Sequence, residues 1–258
     1  MHASRFLRIL IVPMVAVLAM MPIPRVSAAT PRLPDLGMAD LADLKIENTA
    51  DGRRLLRFSA TIVNTGTGAF EIGAQRATAT SPWALQQKIY DDANASSFVG
   101  VSSSATLVYG GDGHNHWHVN NLERYELERL DNGSKVGTGA KSGFCFFDNV
   151  AYRLTLPRAP QTAVYSSSSG TPLRTCAGGT TATQVVMGLS VGWGDKYGAN
   201  LPDQYIDITG LTSGRYRLRA TADPDRWFQE SNTTNNFTYV DIQLKGNKIS
   251  VLGHGPSA

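Results

Sequence analysis

Cysteine is nearly absent from this chain: two of 258 residues, Cys145 and Cys176. So few exclude a small disulfide-framework scaffold and a four-cysteine zinc module. Charge is sparse as well, 17% of residues, with 24 Lys+Arg against 21 Asp+Glu. The net charge of +3 is a small surplus, and whether it favours a polyanion depends on where those three cations sit. The 25 glycines follow no triplet period, so a collagen-like chain is excluded. Long apolar runs are missing too. The longest, Ile9 to Met21, contains Pro13 and falls short of the roughly 20 residues a membrane-spanning helix requires. Sustained helical periodicity is also lacking. What remains, 42% hydrophobic residues, is enough for a buried core in one domain, or at most two.

The apolar run follows Arg5 and Arg8 and ends at the small residues Val26-Ser27-Ala28, the layout of a secretory signal peptide. Cleavage is expected near Ala28, which makes the protein secreted or periplasmic with no membrane span in the mature chain. Residues 29–258 are then a single domain, with a core of about 33–244. The leader holds Arg5, Arg8 and Arg25 and no acid. Taking these three from 24 leaves 21 basic against 21 acidic side chains. The mature body is formally neutral, and no nucleic-acid partner is expected. Export also makes a Cys145–Cys176 disulfide the natural state of the pair. Its loop would contribute about 3–4 kcal/mol on the chain-entropy estimate.

From Leu33 onward the pattern has a period of two. Phe58, Ala60 and Ile62 alternate with Arg57, Ser59 and Thr61; Tyr216, Leu218 and Ala220 alternate with Arg215, Arg217 and Arg219; Val240, Ile242 and Leu244 alternate with Asp241 and Gln243. Alternation of this kind marks half-buried antiparallel strands. Turn signals such as Ala50-Asp51-Gly52 and Asp131-Asn132-Gly133 recur between them. The expected fold is all-β: a sandwich of antiparallel sheets with long ordered loops and little helix. Ala39 to Leu44 is at most a short helix, Tyr152 to Gly194 reads as long connections, and the tail after Leu244 reads as loose.

Three of the five histidines fall within five residues: His114, His116 and His118. On a strand, alternate residues share a face and stand about 7 Å apart, so the imidazoles can converge on one ion. The outer pair needs curvature or a bulge, which Gly110, Gly111 and Gly113 would permit. Imidazole ligands suit Zn, Cu, Fe or Ni alike, and three ligands leave a coordination position open for chemistry.

His114-Asn-His116-Trp-His118, followed by Tyr125-Glu126-Leu127, resembles the copper-binding segment of the lysyl oxidase family. Gly139-Ala-Lys141-Ser-Gly-Phe-Cys145 resembles the stretch carrying that family's cofactor lysine. Gly194-Asp195-Lys-Tyr197-Gly, with Gln204-Tyr-Ile-Asp207-Ile-Thr209, resembles the stretch carrying its cofactor tyrosine. The resemblance implies a Cu²⁺ enzyme whose Lys141 and Tyr197 join as lysine tyrosylquinone. Such an enzyme oxidises primary amines, free or on protein lysine side chains, to aldehydes with O₂, releasing peroxide and ammonia. A general base must take a proton from the amine-bearing carbon, and Asp195 or Asp207 is the candidate. Read without the resemblance, Lys141 is a surface lysine, Tyr197 a structural aromatic, and both aspartates are surface carboxylates. Gly137-Thr-Gly-Ala-Lys141-Ser also imitates a phosphate loop, but Ala140 stands at the last required glycine and no helix pattern follows.

Family members also bind calcium through a Pro-Asp-Leu start and an acidic, Asn-rich segment. The matching positions here are Asp35, Leu36 through its backbone, Glu230, Asn232, Asn235 and Asn236, an oxygen set that suits Ca²⁺. The chain departs from animal members in having one possible disulfide and Arg124 where they carry a histidine. Two rival readings use fewer of these residues. An exported, non-enzymatic copper-binding β-sandwich needs only the histidines, and a surface adhesion module needs none of them.

Overall fold

The computed structural model describes residues 30–91, 97–110, 115–166, 176 and 178–258. The expected leader, Gly111, Gly113 and His114 lie outside the described residues.

Among the described residues there is no helix, and every strand pairing is antiparallel. One sheet is built on the long strand Arg54–Asn64. It pairs with Trp193–Tyr197, Tyr205–Asp207, Leu36–Met38 and Ala42–Asn48. A second sheet orders Lys135–Thr138, Glu123–Arg129, Gly214–Ala222, Phe237–Lys245 and Lys248–His254. A third runs through Ala84–Asp91, Phe70–Gln75 and Gln184–Leu189. A small fourth sheet joins Gly143–Phe144 to Trp117–Asn120 and Leu107–Tyr109.

The alternation read from the sequence is the alternation that packs. Tyr216, Leu218 and Ala220 are fully buried, as are Phe58, Ala60, Ile62, Val240, Ile242 and Leu244. Stacked and edge-on rings tie the sheets together, with Phe70 against Phe146 at 4.9 Å and Phe58 against Tyr125 at 5.0 Å. Pairs of this kind contribute about 1 kcal/mol each beyond their area.

Three local expectations are corrected. Ala42–Asn48 is a strand, and Asp43 at φ 54° interrupts any helical turn there. The region read as long connections contains the strand Gln184–Leu189, which completes the third sheet. The tail is ordered: Lys248–His254 pairs with Phe237–Lys245 through the Gly246 turn. It is an edge strand with mostly exposed side chains, so it lacks the alternation that would have revealed it.

Candidate active site

The segment 139–144 is held by several sheets at once. The Gly139 amide donates to the Tyr125 carbonyl at 2.8 Å, and the Ala140 amide donates to the Tyr205 carbonyl at 2.9 Å. Gly143 and Phe144 then pair with Asn120 and Val119. The motif's glycines are there because side chains come too close for anything larger. A Cβ on Gly139 would meet the Tyr125 ring and Cβ at 2.8–2.9 Å, and one on Gly143 would meet His118 at 3.0–3.1 Å. Lys141, between them, is buried rather than on the surface. Its Nζ lies 4.9 Å from the centre of the Tyr197 ring and 5.2 Å from that of Phe144.

Tyr197 ends the strand Trp193–Tyr197, where Trp193, Asp195 and Tyr197 share the inward face. Its hydroxyl donates to the Cys145 carbonyl at 2.9 Å, and its ring stands edge-on to Phe144 at 5.1 Å. Asp195 is also buried, contrary to the surface reading. Its Oδ1 accepts from the Asn149 amide, and its Oδ2 has no hydrogen bond. Burial pushes this carboxyl up to about 8, against the opposing pull of the nearby Tyr197 phenol, Phe147 amide, Lys141 and Asn149. Asp207 is exposed and caps its own turn by accepting the Thr209 amide at 2.8 Å. The Thr209 bonds hold it below the usual carboxylate range.

Sequence reasoning missed Glu123. It begins the strand Glu123–Arg129, just after a tight turn in which Asn121 takes φ 56°. Its Oε2 accepts from the Tyr125 hydroxyl at 2.7 Å, and its Oε1 is buried without a partner. Burial first, and then the Asp195 charge, raise it to about 8, while the Tyr125 bond and Lys141 pull it down. Gln204 is fully buried beside the Tyr125 phenol. Both phenols, Tyr125 and Tyr197, are driven well above their ordinary value by burial and then by these carboxyls.

His116 precedes the short strand Trp117–Asn120 and His118 lies within it, with ring centres 4.5 Å apart. His118 is buried, and its Nδ1 sits 3.2 Å from the Gly110 carbonyl. A carbonyl can only accept, so that contact assigns a proton to Nδ1. Cys145 and Cys176 form the expected disulfide, with Cα atoms 5.8 Å apart. Their sulfurs lie within 4.8 Å of a His116 ring nitrogen. Bonded to each other they are not thiolates, so in this state His116 alone of that trio can hold a metal.

Of the calcium candidates, the structure assembles five. Glu230 accepts from the Leu36 amide at 2.6 Å and the Asn236 side chain at 2.7 Å, while Asn235 donates to Asp35 at 3.1 Å. The Oδ1 atoms of Asn235 and Asn236 are buried without partners, so oxygens lie among these residues that a cation could use. Asn232 stands apart. It is exposed, and its Oδ1 is taken by the Thr234 amide and hydroxyl. A cavity of about 490 Å³ lies elsewhere, lined by Arg32, Glu71, Tyr90, Phe98, Arg158 and Tyr165 among others. Lys141, Tyr197, Asp195 and Glu123 do not line it.

Comparison with known proteins bears on the same residues. The profile of the family described as "Lysyl oxidase" matches residues 168–253, which include Asp195, Tyr197, Gln204 and Glu230 but stop short of Lys141 and the histidines. "Protein-lysine 6-oxidase" of Homo sapiens is 31% identical over 141 residues, 54% of this chain and 29% of that protein. "Lysyl oxidase homolog 1" of Homo sapiens is 30% identical over 138 residues, 53% and 20% of the two chains. Over these stretches the chain is similar to the lysyl oxidase family. "Lysyl oxidase homolog 4" of Mus musculus extends the likeness to 76% of this chain at 26% identity. The chain spans only 20–29% of the length of these relatives. The chain is cysteine-poor, with the single disulfide described above.

Proposed function

We propose that this protein is an exported, copper-dependent amine oxidase, secreted or periplasmic, acting on primary amines, free or carried by protein lysines. The observation that carries the reading is the buried Lys141 ammonium group lying 4.9 Å from the centre of the Tyr197 ring. A lysine and a tyrosine so placed suit a lysine tyrosylquinone cross-link. The buried oxygens of Asp195 and Glu123 that lack partners fit a pocket that gains polar atoms after folding, since orphaned buried polar groups are costly. His114, His116 and His118 would hold the copper whose oxygen chemistry builds the cofactor.

When formed, the quinone would supply an electrophilic carbonyl and a two-electron sink that O₂ empties again by re-oxidation. The chain's own residues do the rest. Phe144 and the surrounding core exclude water from the Tyr197 ring. Asn149 orients Asp195 through one oxygen, leaving the other to take a proton from the amine-bearing carbon. A carboxyl ionising near neutral pH matches that task better than an ordinary surface aspartate. The sum of the reaction is amine, O₂ and water to aldehyde, ammonia and hydrogen peroxide.

The test is peptide mass analysis of copper-loaded, air-exposed protein, together with quinone staining. The reading expects one cross-linked Lys141–Tyr197 species, staining abolished in Tyr197→Phe and Lys141→Ala, and peroxide release from a simple alkylamine blocked by phenylhydrazine. Separate, unmodified peptides would overturn it and favour the non-enzymatic copper-binding reading.

A further inference from the structure

We propose that Glu123 is a second working carboxyl of this site: with Asp195 it selects a cationic amine, and it accepts that amine's ammonium proton. This rests on the amine-oxidase reading above and extends it to substrate class.

The strand Glu123–Arg129 turns Glu123, Tyr125 and Leu127 inward, and inward positions of a sheet are normally apolar. A carboxyl there costs several kcal/mol if ionised, unless donors and a counter-charge surround it. The same molecule shows what a structural buried carboxylate looks like. Asp148 accepts from the Val164, Tyr165 and Ser190 amides and from the Ser190 hydroxyl at 2.7–3.1 Å. Glu123 has one donor, the Tyr125 hydroxyl, and an unpartnered second oxygen. Its bonding is incomplete for a structural role.

Its surroundings are the reacting groups. Tyr125, on its own strand, packs against Phe144, whose ring also meets Tyr197 and the Lys141 ammonium. Among the described residues, the charged and titratable groups in electrostatic reach are Lys141 from the 139–144 segment, Asp195 and Tyr197 from the strand Trp193–Tyr197, and Tyr125 on its own strand. Gln204 approaches the Tyr125 phenol from another side. Two acids therefore share one cation. Joining the Lys141 nitrogen to the Tyr197 ring would remove that ammonium, because a nitrogen conjugated to a quinone is not basic. Among the described residues Glu123 then has no other cation in electrostatic reach. An entering alkylammonium replaces the lost cation.

The step that follows is a proton transfer. The substrate N–H bond breaks, an O–H bond forms on the Glu123 carboxylate, and a neutral amine is left as nucleophile. No electrons leave the pair, and Asp195 remains available for the carbon-bound proton. Burial pushes both carboxyls up to about 8, so the ionised fraction able to accept a proton grows as pH rises toward that value.

The experiment is Glu123→Gln in the copper-loaded, full-length protein, with peptide mass analysis first verifying the Lys141–Tyr197 cross-link. Phenylhydrazine is neutral at pH 7 and brings no ammonium proton, so its adduct should form at the wild-type rate. Oxidation of n-butylamine at pH 7 should fall about 100-fold in kcat/KM, the deficit shrinking above pH 9 as the free amine accumulates. Equal losses with both probes, or no loss with either, would overturn the proposal. Should Glu123→Gln fail to fold or cross-link, Glu123→Asp takes its place. Restored n-butylamine turnover with the wild-type pH profile supports the proposal, and a pH-independent loss overturns it. Absence of the cross-link in wild type refutes the amine-oxidase reading itself, a result read before Glu123 is tested.

Discussion

Glu71 and Glu123 are equally hidden from solvent, at 5% and 2% exposure, yet their chemistry runs in opposite directions. Glu71 has every oxygen occupied: Lys88 reaches Oε1 at 2.5 Å, while Tyr90 and Tyr165 donate to Oε2 at 2.7 and 2.5 Å. Burial alone would raise its pKa, but the Lys88 bond, the two phenols and the Lys88 charge outweigh it and hold it below the usual value. The sheet itself arranges this, because Glu71 and Lys88 are a cross-strand pair. Glu123 and Asp195 each keep an oxygen without a donor and rise to about 8. Burial is common to both regions, so pairing decides which carboxyl is held low and which is pushed up. The 490 Å³ cavity sharpens the lesson. It lies against the satisfied acid, Glu71, and away from the poised pair.

The largest effect should come from the poised side. Asp195→Asn keeps the shape and the Asn149 contact region but removes the proton acceptor. Amine oxidation is expected to fall 10²- to 10⁴-fold, as for loss of a general base. The melting temperature should hold or rise, because an amide is cheaper to bury than a carboxyl short of partners. Steady-state kinetics and calorimetry check the two halves separately. A cooperative loss of stability would place Asp195 with Glu71 and break the comparison.

The satisfied side predicts the reverse. Glu71→Gln leaves Lys88 facing a neutral amide and loses the charge that both tyrosine hydroxyls address. A loss of about 3 kcal/mol is expected, roughly 6–12 °C in melting temperature for a domain of this size. Quinone content per folded molecule should not change. If staining fell in Glu71→Gln while the melting temperature held, the division between the two acids would be wrong.

Much of this contrast was legible only in half. The strands could be read because Phe58, Ala60 and Ile62, or Tyr216, Leu218 and Ala220, alternate with polar neighbours and do pack inward. The disulfide followed from the cysteine count. Lys141 and Tyr197 could be named from motif resemblance alone. Their burial depends on long-range contacts, such as Gly139 against Tyr125, that spacing does not encode. Glu123 was missed because a glutamate in a strand reads as a solvent-facing residue. Its parity with Tyr125 and Leu127, which put it on the inward face, was the available signal. The edge strand Lys248–His254 was missed for a different reason, since a strand with few buried side chains carries no hydrophobic period.

Glu230 tests whether hydrogen bonds alone explain the difference. Both of its oxygens are bonded, to the Leu36 amide and the Asn236 side chain, as in Glu71. Yet burial drives it up to about 8, with Asp223 and Asp35 adding like charge. What it lacks is a cation, the role Lys88 plays for Glu71. Calcium held among Asp35, Glu230, Asn235 and Asn236 would supply one. Binding at a hundredfold excess over Kd adds about 2.7 kcal/mol, so a chelator should lower the melting temperature by roughly 5–10 °C. That shift should disappear in Glu230→Gln, and magnesium should replace calcium poorly because it demands a tighter octahedral shell. A melting temperature indifferent to chelator would mean that neutral donors suffice for Glu230. Hydrogen bonding without counter-charge would then be enough to keep a buried carboxyl structural, and the distinction from Glu123 would rest on its single unpartnered oxygen.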